Sequence, residues 1–399
     1  MSHRHASILF VWLLFGWASS FASAQGSRRD PSTDIHVDTK RGKAGAKGTE
    51  RQPVRDIASA LALLPDPVLR TTRIHLAPGT YGETGADDGE SMPSGTLHLM
   101  RRMRPGVHVD FVIPRSNQDD SDVVFDWHDH ALVVATEGEW RFRGVRFGSF
   151  RKDQRRGVEV RGPAHVILND VSFRLRSQSD AAVWARYGGR VTLGGDVLVN
   201  EHLHDEAGEE SFSGFLATEH GIIEYGSDRD GTLELGNGSL SVRTYGIIRL
   251  GCKRARITCW TKSNNLTINN GGRIDVRNTT VTLCAKVKNN TPIGLEHDGH
   301  ILAEDAVIHV EGANDSAIAL QKASTFTCND IDLRGNFEYS IWASSGSMFV
   351  GRFLGNVAKV RASTGAGIHI EKIGGELRGP VEALSGGVVS LPDRTVRSK

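Results

Sequence analysis

An all-β fold, a right-handed parallel β-helix of ten or more turns, is what this sequence predicts, and three observations predict it. A nine-residue pattern, apolar at positions one, three and nine and small at seven, recurs ten times, failing only at position nine of the last copy, Glu376. Its starts lie 23 to 32 residues apart. No amphipathic stretch of helix length separates the copies, so they cannot be strand–helix–strand crossover units and must stack directly on one another.

The chain begins with a basic start, an apolar run from Ile8 to Trp17, and small residues ending at Ala22-Ser23-Ala24. That order is a secretory signal peptide over residues 1–24, and it predicts a secreted or periplasmic protein. Neither this run nor any later one approaches the roughly 20 apolar residues of a membrane helix, so no membrane span is expected. Residues 25–33 read as a linker. Removing residues 1–24 takes Arg4 and no acid from the 48 basic and 47 acidic residues, leaving 47 of each. Such a balance gives no footprint for a phosphate backbone, so no nucleic-acid partner is expected.

Residues 34–131 read as a capping helix followed by irregular first turns. Over residues 54–64, Ile57, Ala60, Leu61 and Leu64 share one helical face. The open end of a strand stack exposes apolar core and unpaired backbone, which such a helix can cover. The acidic loops "GADDGE" and "NQDDSD" are expected to be solvated.

Residues 132–391 hold the regular turns. The copies are "LVVATEGEW" from Leu132, "VEVRGPAHV" from Val158, "VWARYGGRV" from Val183, "FLATEHGII" from Phe215 and "LSVRTYGII" from Leu240. "LTINNGGRI" from Leu266, "IGLEHDGHI" from Ile293, "IALQKASTF" from Ile318, "IWASSGSMF" from Ile341 and "IHIEKIGGE" from Ile368 complete the set. Each reads as a short alternating strand, a tight turn and a second strand. Residues 392–399 read as a loose tail.

With "IHVDT" near Asp38, "PVRDIASALALLP" from Pro53 and "RIHLAPGTYGET" ending at Thr84, the chain resembles the pectin-lyase-like β-helix superfamily. The resemblance covers nearly all of the chain after the signal peptide, and it specifies fold far better than activity. The clustered aspartates of the pectin hydrolases are missing. So are the paired motifs of the pectinesterases and the calcium-binding acidic set of the pectate lyases.

Stacked copies would place like-numbered residues about 4.8 Å apart. Positions four to six then form a polar ridge along which a sugar chain could lie. On that ridge Glu296, His297, Gln321 and Lys322 meet on adjacent turns, Glu296, His297 and Lys322 as the catalytic candidates and Gln321 as a binding residue; Glu219 lies three turns from His297. A second patch, Glu159, Arg161, Trp184, Arg186 and Tyr187, suits the apolar face of a sugar and a uronate or sulfate group. In a lyase, Lys322 or His297 would be the base, with Arg161 or Arg186 neutralising the developing charge. In a hydrolase, Glu296 has no obvious partner carboxylate.

His202, His204, Asp205 and Glu206 in the long loop, and His128 with His130, read as solvated groups more readily than as ligands. No metal site and no cofactor are expected, and calcium is left open. Cys259 and Cys284, residues 20 and 19 of consecutive turns, are expected to be bridged or stacked as thiols, with Cys252 and Cys328 apart. Two readings of function stay open: a polysaccharide lyase or glycoside hydrolase, and a non-catalytic β-helix that binds glycans or acts as a scaffold.

Overall fold

The computed structural model describes residues 33–82, 96–113, 123–126, 130–148, 156–175, 181–199, 213–225, 230–236, 238–259, 264–286, 291–312 and 315–398. The signal peptide, the linker through residue 32, the two acidic loops, the loop at 200–212 and the side chains of His128 and His130 lie outside these residues. The protein is all-β. Its strands form one 21-stranded and one 12-stranded sheet, and among the described residues a single α-helix, Ile57–Ala62, accompanies them.

Neighbouring strands of the 12-stranded sheet are parallel and one sequence repeat apart. Leu132, Val158, Val183, Phe215, Leu240, Leu266, Ile293, Ile318 and Ile341 are successive lateral partners, all buried. Strand alternation sends positions one and three to the core and positions two and four outward, which is why the apolar pattern has period two. The register aligned from the sequence is therefore present over nine copies.

The tenth copy is not where the pattern put it. Ile341 pairs with Val360 and Val360 with Val381, so the last two repeats read "VRASTGAGI" and "VEALSGGVV". Ile368 instead lies in Gly367–Ile373 of the 21-stranded sheet, opposite Phe349. Both sheets alternate with the same period, so alternation alone could not distinguish them. A further strand, Thr96–Leu99, precedes the first copy and pairs with His130–Val134.

The turn after each copy explains the small residue at seven. The residues at positions five and six adopt positive φ, as in Thr244 (49°) and Tyr245 (61°), or Lys322 (52°) and Ala323 (62°). Position seven then passes close beneath the preceding repeat. A Cβ on Gly189, Gly221 or Gly246 would come within 2.1–2.3 Å of the carbonyl oxygen of Val160, Ala185 or Ala217. The requirement is for small size, and Ala164, Ser324, Ser347 and Ala366 meet it as buried residues. Immediately after this file, Arg190, Ile222, Ile247, Arg273, His300, Thr325 and Met348 are lateral partners in the 21-stranded sheet.

The core fills the space between the sheets. Its first repeats are aromatic, with Phe111 stacked on Phe142 at 4.5 Å and Phe147 on Phe173 at 5.1 Å. The middle repeats rely mainly on Ile, Leu and Val, and aromatic packing returns near the far end, where Phe349 lies 5.5 Å from Phe326 and 5.8 Å from Phe353. The helix is shorter than the expected 54–64. Asp56 caps it by accepting from the Ser59 N–H at 2.6 Å, and Ile57, Ala60 and Leu61 are buried. At the other end the expected loose tail is a strand, Thr395–Arg397, laid antiparallel on Val388–Ser390.

The cysteines are not bridged. All four are buried thiols. Cys259 faces Ala285 and Cys284 faces Thr258, a one-residue offset. Because strand side chains alternate, that offset puts the two sulfurs on opposite faces of the sheet. Cys259 shares the parity of buried Ile257, whereas Cys284 Sγ donates to Glu311 Oε2 at 3.2 Å. Burial pushes Cys252 up to about 11 and Cys328 up to about 12.

Candidate functional site

The turns build a ridge because successive residues at positive φ, at positions five and six, swing the chain out of the strand and leave position five at the surface. Tyr187 (53°), Glu219 (52°), Thr244 (49°), Asn270 (53°), His297 (50°) and Lys322 (52°) all hold this conformation at position five. Tyr187 and Tyr245 are 56% and 59% exposed, unusual for tyrosines in so fully packed a chain.

At one end of the ridge a buried carboxylate organises two arginines. Glu159 points outward from Arg156–Arg161 yet is fully buried. Arg161 donates to it through Nε (2.7 Å) and Nη2 (2.9 Å), and Arg186 Nε lies 2.6 Å from its Oε1. The hydrogen bond to Glu159 raises the Arg161 pKa further above its ordinary value. One negative and two positive charges leave the cluster net positive. The arginines, not the carboxylate, are what a ligand would meet.

Two aromatic rings flank this charge. The Arg186 guanidinium carbon lies 4.3 Å from the Trp184 ring centre and 5.0 Å from that of Tyr187. Trp184 is half-buried and donates through Nε1 to Thr218 Oγ1 at 3.0 Å, which fixes its plane. The five residues expected to form this patch are thus together, with Glu159 serving as the counter-ion that holds the guanidinium groups in place.

The second expected group also assembles. Lys322 Nζ lies 2.8 Å from His297 Nε2, and His297 Nδ1 lies 3.8 Å from Glu296 Oε2. An ammonium has donors only, so Nε2 accepts and the ring proton belongs on Nδ1, facing Glu296. The His297 and Glu296 side chains are 47% and 48% exposed. Gln321 is half-buried on the neighbouring repeat. Among the described residues nothing desolvates this trio, so it is a solvated hydrogen-bonded group. Glu219 is three repeats from His297, as aligned, and its Oε2 is buried with no hydrogen-bond partner among the described residues.

Two features escaped sequence reasoning. His220 stacks on Tyr245 with ring centres 5.5 Å apart and planes 8° from parallel. The Tyr245 ring in turn lies over Gly271, where a Cβ would come within 2.6 Å of it. The signal was a ring at position six in two consecutive copies, which attention to position five passed over. The other is a charged ladder on the outer face of the 21-stranded sheet. There His165 bridges Glu139 Oε2 (3.0 Å) and Thr192 Oγ1 (2.9 Å), and Glu224 pairs with Arg190 and Arg249. Among the described residues no three His, Cys, Asp or Glu side chains are placed to hold a metal ion.

The site and fold together describe a parallel all-β protein with a basic, aromatic ridge along one sheet. No family model and no curated protein matches the chain. Among solved structures it is similar to crystal structures of the GH136 lacto-N-biosidase from Eubacterium ramulus. The selenomethionine derivative superposes with a TM-score of 0.43 and the native protein with 0.36. In both cases the identity is 10%, over 90% of this chain and 68% of the other.

Proposed function

We propose that this is an exported protein that binds an extended, anionic polysaccharide along the ridge from Arg161 to Lys322. The observation that carries the reading is the Arg186 guanidinium, held from beneath by buried Glu159 and flanked by Trp184 and Tyr187. Rings stack on the apolar faces of sugars, and fixed guanidinium groups recognise carboxylate or sulfate. Tyr187 and Tyr245 stand two strand spacings apart, about 10 Å, which suits alternate sugars of a chain running along the stack. In this reading the two ladders are successive coils of a right-handed parallel β-helix of the pectin-lyase-like kind, which supplies the straight path.

Binding is favoured over cleavage. Glu159 is committed to two arginines, and Glu296, His297 and Lys322 are too solvated to be held as an acid or base. The 2.8 Å contact between Lys322 and His297 supports a lyase-like second reading, in which one of them takes the proton beside a uronate. No cofactor is part of the proposal, so EDTA is expected to leave binding unchanged.

The test incubates the chain from residue 25 onward with acidic and neutral polysaccharides and follows both binding and new chain ends. Retention of acidic polymers without new ends is expected, weakening as salt is raised. Arg186→Gln should reduce affinity about 10-fold or more, the scale of a lost charged hydrogen bond. Failure to bind any of the polymers sinks the proposal. New unsaturated ends that vanish in His297→Ala or Lys322→Ala would replace binding with catalysis.

A further inference from the structure

The outward column at position two holds a second cluster built like the first. From Glu159 the lateral partners run Trp184, Leu216, Ser241, Thr267, Gly294, Ala319, Trp342, Arg361 and Glu382. At one end of this column Glu159 is the lateral partner of Trp184; at the other Trp342 is the partner of Arg361, and Arg361 of Glu382. At the far end Glu382 is held by Lys359 Nζ (3.1 Å) and by Arg361 Nε (2.6 Å). The same two cations approach the ring centre of Tyr339, Lys359 Nζ at 4.5 Å and the Arg361 guanidinium carbon at 4.9 Å. As at the first cluster, two cations share one carboxylate beside an aromatic ring, here Tyr339, with the Glu338 carboxylate a further charged neighbour of Arg361.

The two clusters differ in depth. Glu159 is fully buried, whereas the side chains of Lys359, Glu382 and Arg361 remain 19%, 27% and 32% exposed. Trp342 and Tyr339 are half-buried. An ion pair at such exposure adds little to stability, so the fold does not need the arrangement. Six strand spacings separate Trp184 from Trp342, roughly 29 Å along the stack. Between them the ridge offers exposed Thr244, Asn270, His297 and Lys322.

We infer that Tyr339, Trp342, Lys359 and Arg361 form a second seat for the anionic polysaccharide, so that one long chain engages both ends of the sheet face. The inference rests on the binding function proposed above and adds to it a preference for length. If two sugars match about two spacings, on the order of six are needed to reach from one tryptophan to the other. A shorter oligosaccharide occupies either seat alone. A longer one gains the effective concentration of a tethered second contact, which commonly multiplies affinity by ~10² or more.

Calorimetric titration of the chain from residue 25 onward with long-chain polygalacturonate, its trimer and neutral cellohexaose tests this. The wild type should bind two trimers per molecule and bind the long chain at least about 10-fold more tightly than the trimer. Trp342→Ala and, separately, Arg361→Gln should each reduce trimer stoichiometry to one and abolish the advantage of length. Arg361→Gln alters a half-exposed ion pair and the contact with Tyr339 but no core residue, and its circular dichroism should match the wild type. If polygalacturonate binds but both variants keep the wild-type stoichiometry and length dependence, the second seat is refuted while the first stands. If no acidic chain binds the wild type, the underlying function falls and this inference with it.

Discussion

Glu159 shows how one residue can be placed correctly by sequence and still have its role misjudged. Its column was legible because Val158 and Val160 bracket it in an alternating strand. Its burial was not, since that depends on Arg161 and Arg186 folding over it. Removing the carboxylate would leave two poorly solvated guanidinium groups without a counter-charge. Glu159→Ala should therefore destabilise the protein by about 3 kcal/mol, read as a lowered urea midpoint. An unchanged midpoint would mean the arginines find water instead. The cysteines carry a related lesson: the one-residue difference in position, 20 against 19, was legible in the spacing, and strand alternation turns it into opposite faces of the sheet. With burial raising Cys252 to about 11 and Cys328 to about 12, alkylation by iodoacetamide at pH 8 should be negligible in the native protein. All four thiols should react once it is unfolded. Fewer than four would reveal a bridge that the structure lacks.

At the scale of the repeat, the turn was readable because close packing leaves its mark at position seven, whereas positive φ leaves almost none. Positions five and six accept Tyr, Glu, Thr, His and Lys, and the left-handed region costs a non-glycine residue roughly 1–2 kcal/mol. Asn270 occupies that position in the next repeat with φ of 53°. Thr244→Asn should accordingly stabilise the protein by about 0.5 kcal/mol or more, since Asn tolerates this conformation better than a β-branched residue. Gly246→Val should act the other way. Its Cβ would meet the Ala217 oxygen at 2.3 Å, and overpacking of this kind costs about 3 kcal/mol. Thermal unfolding of the two variants checks both signs, and a Gly246→Val protein as stable as the parent would contradict the close approach. The two last repeats were missed for a related reason. They begin 19 and 21 residues after their predecessors, counted from Ile341 to Val360 and on to Val381, so a spacing near 25 carried the alignment into the wrong sheet.

Across the whole molecule, the ladder on the 21-stranded sheet joins strands far apart in sequence. Asp110, Arg141, Glu139, His165, Thr192, Glu224, Arg249 and Asp275 follow one another through contacts of 4 Å or less. No short motif announces it, because each repeat contributes only one or two members. Its electrostatics make a pH prediction. Burial lowers the His165 pKa below 6.5, an effect that Glu139 only partly opposes. Burial would raise Glu139 and Glu224, but Arg141 holds the first, and Arg190 with Arg249 the second, below the ordinary 4.5. All three groups bind a proton more weakly when folded, so each contributes stability above its unfolded pKa and loses it as pH falls through the folded one. Stability should decline first below about pH 6.5 and again below about 4.5, and His165→Gln should remove part of the first decline. A urea midpoint that stays level or rises between pH 7 and 5.5 would contradict this.

The central claim is that an anionic glycan lies along the turn ridge of the 12-stranded sheet. Hydrogen–deuterium exchange with and without long-chain polygalacturonate measures it directly. Protection should run along residues 158–161, 181–187, 216–220, 240–245, 266–270, 293–297 and 318–322 and reach 339–342 and 359–361, with the charged face of the 21-stranded sheet unchanged. Protection confined to that opposite face, or none at saturating ligand, would contradict it.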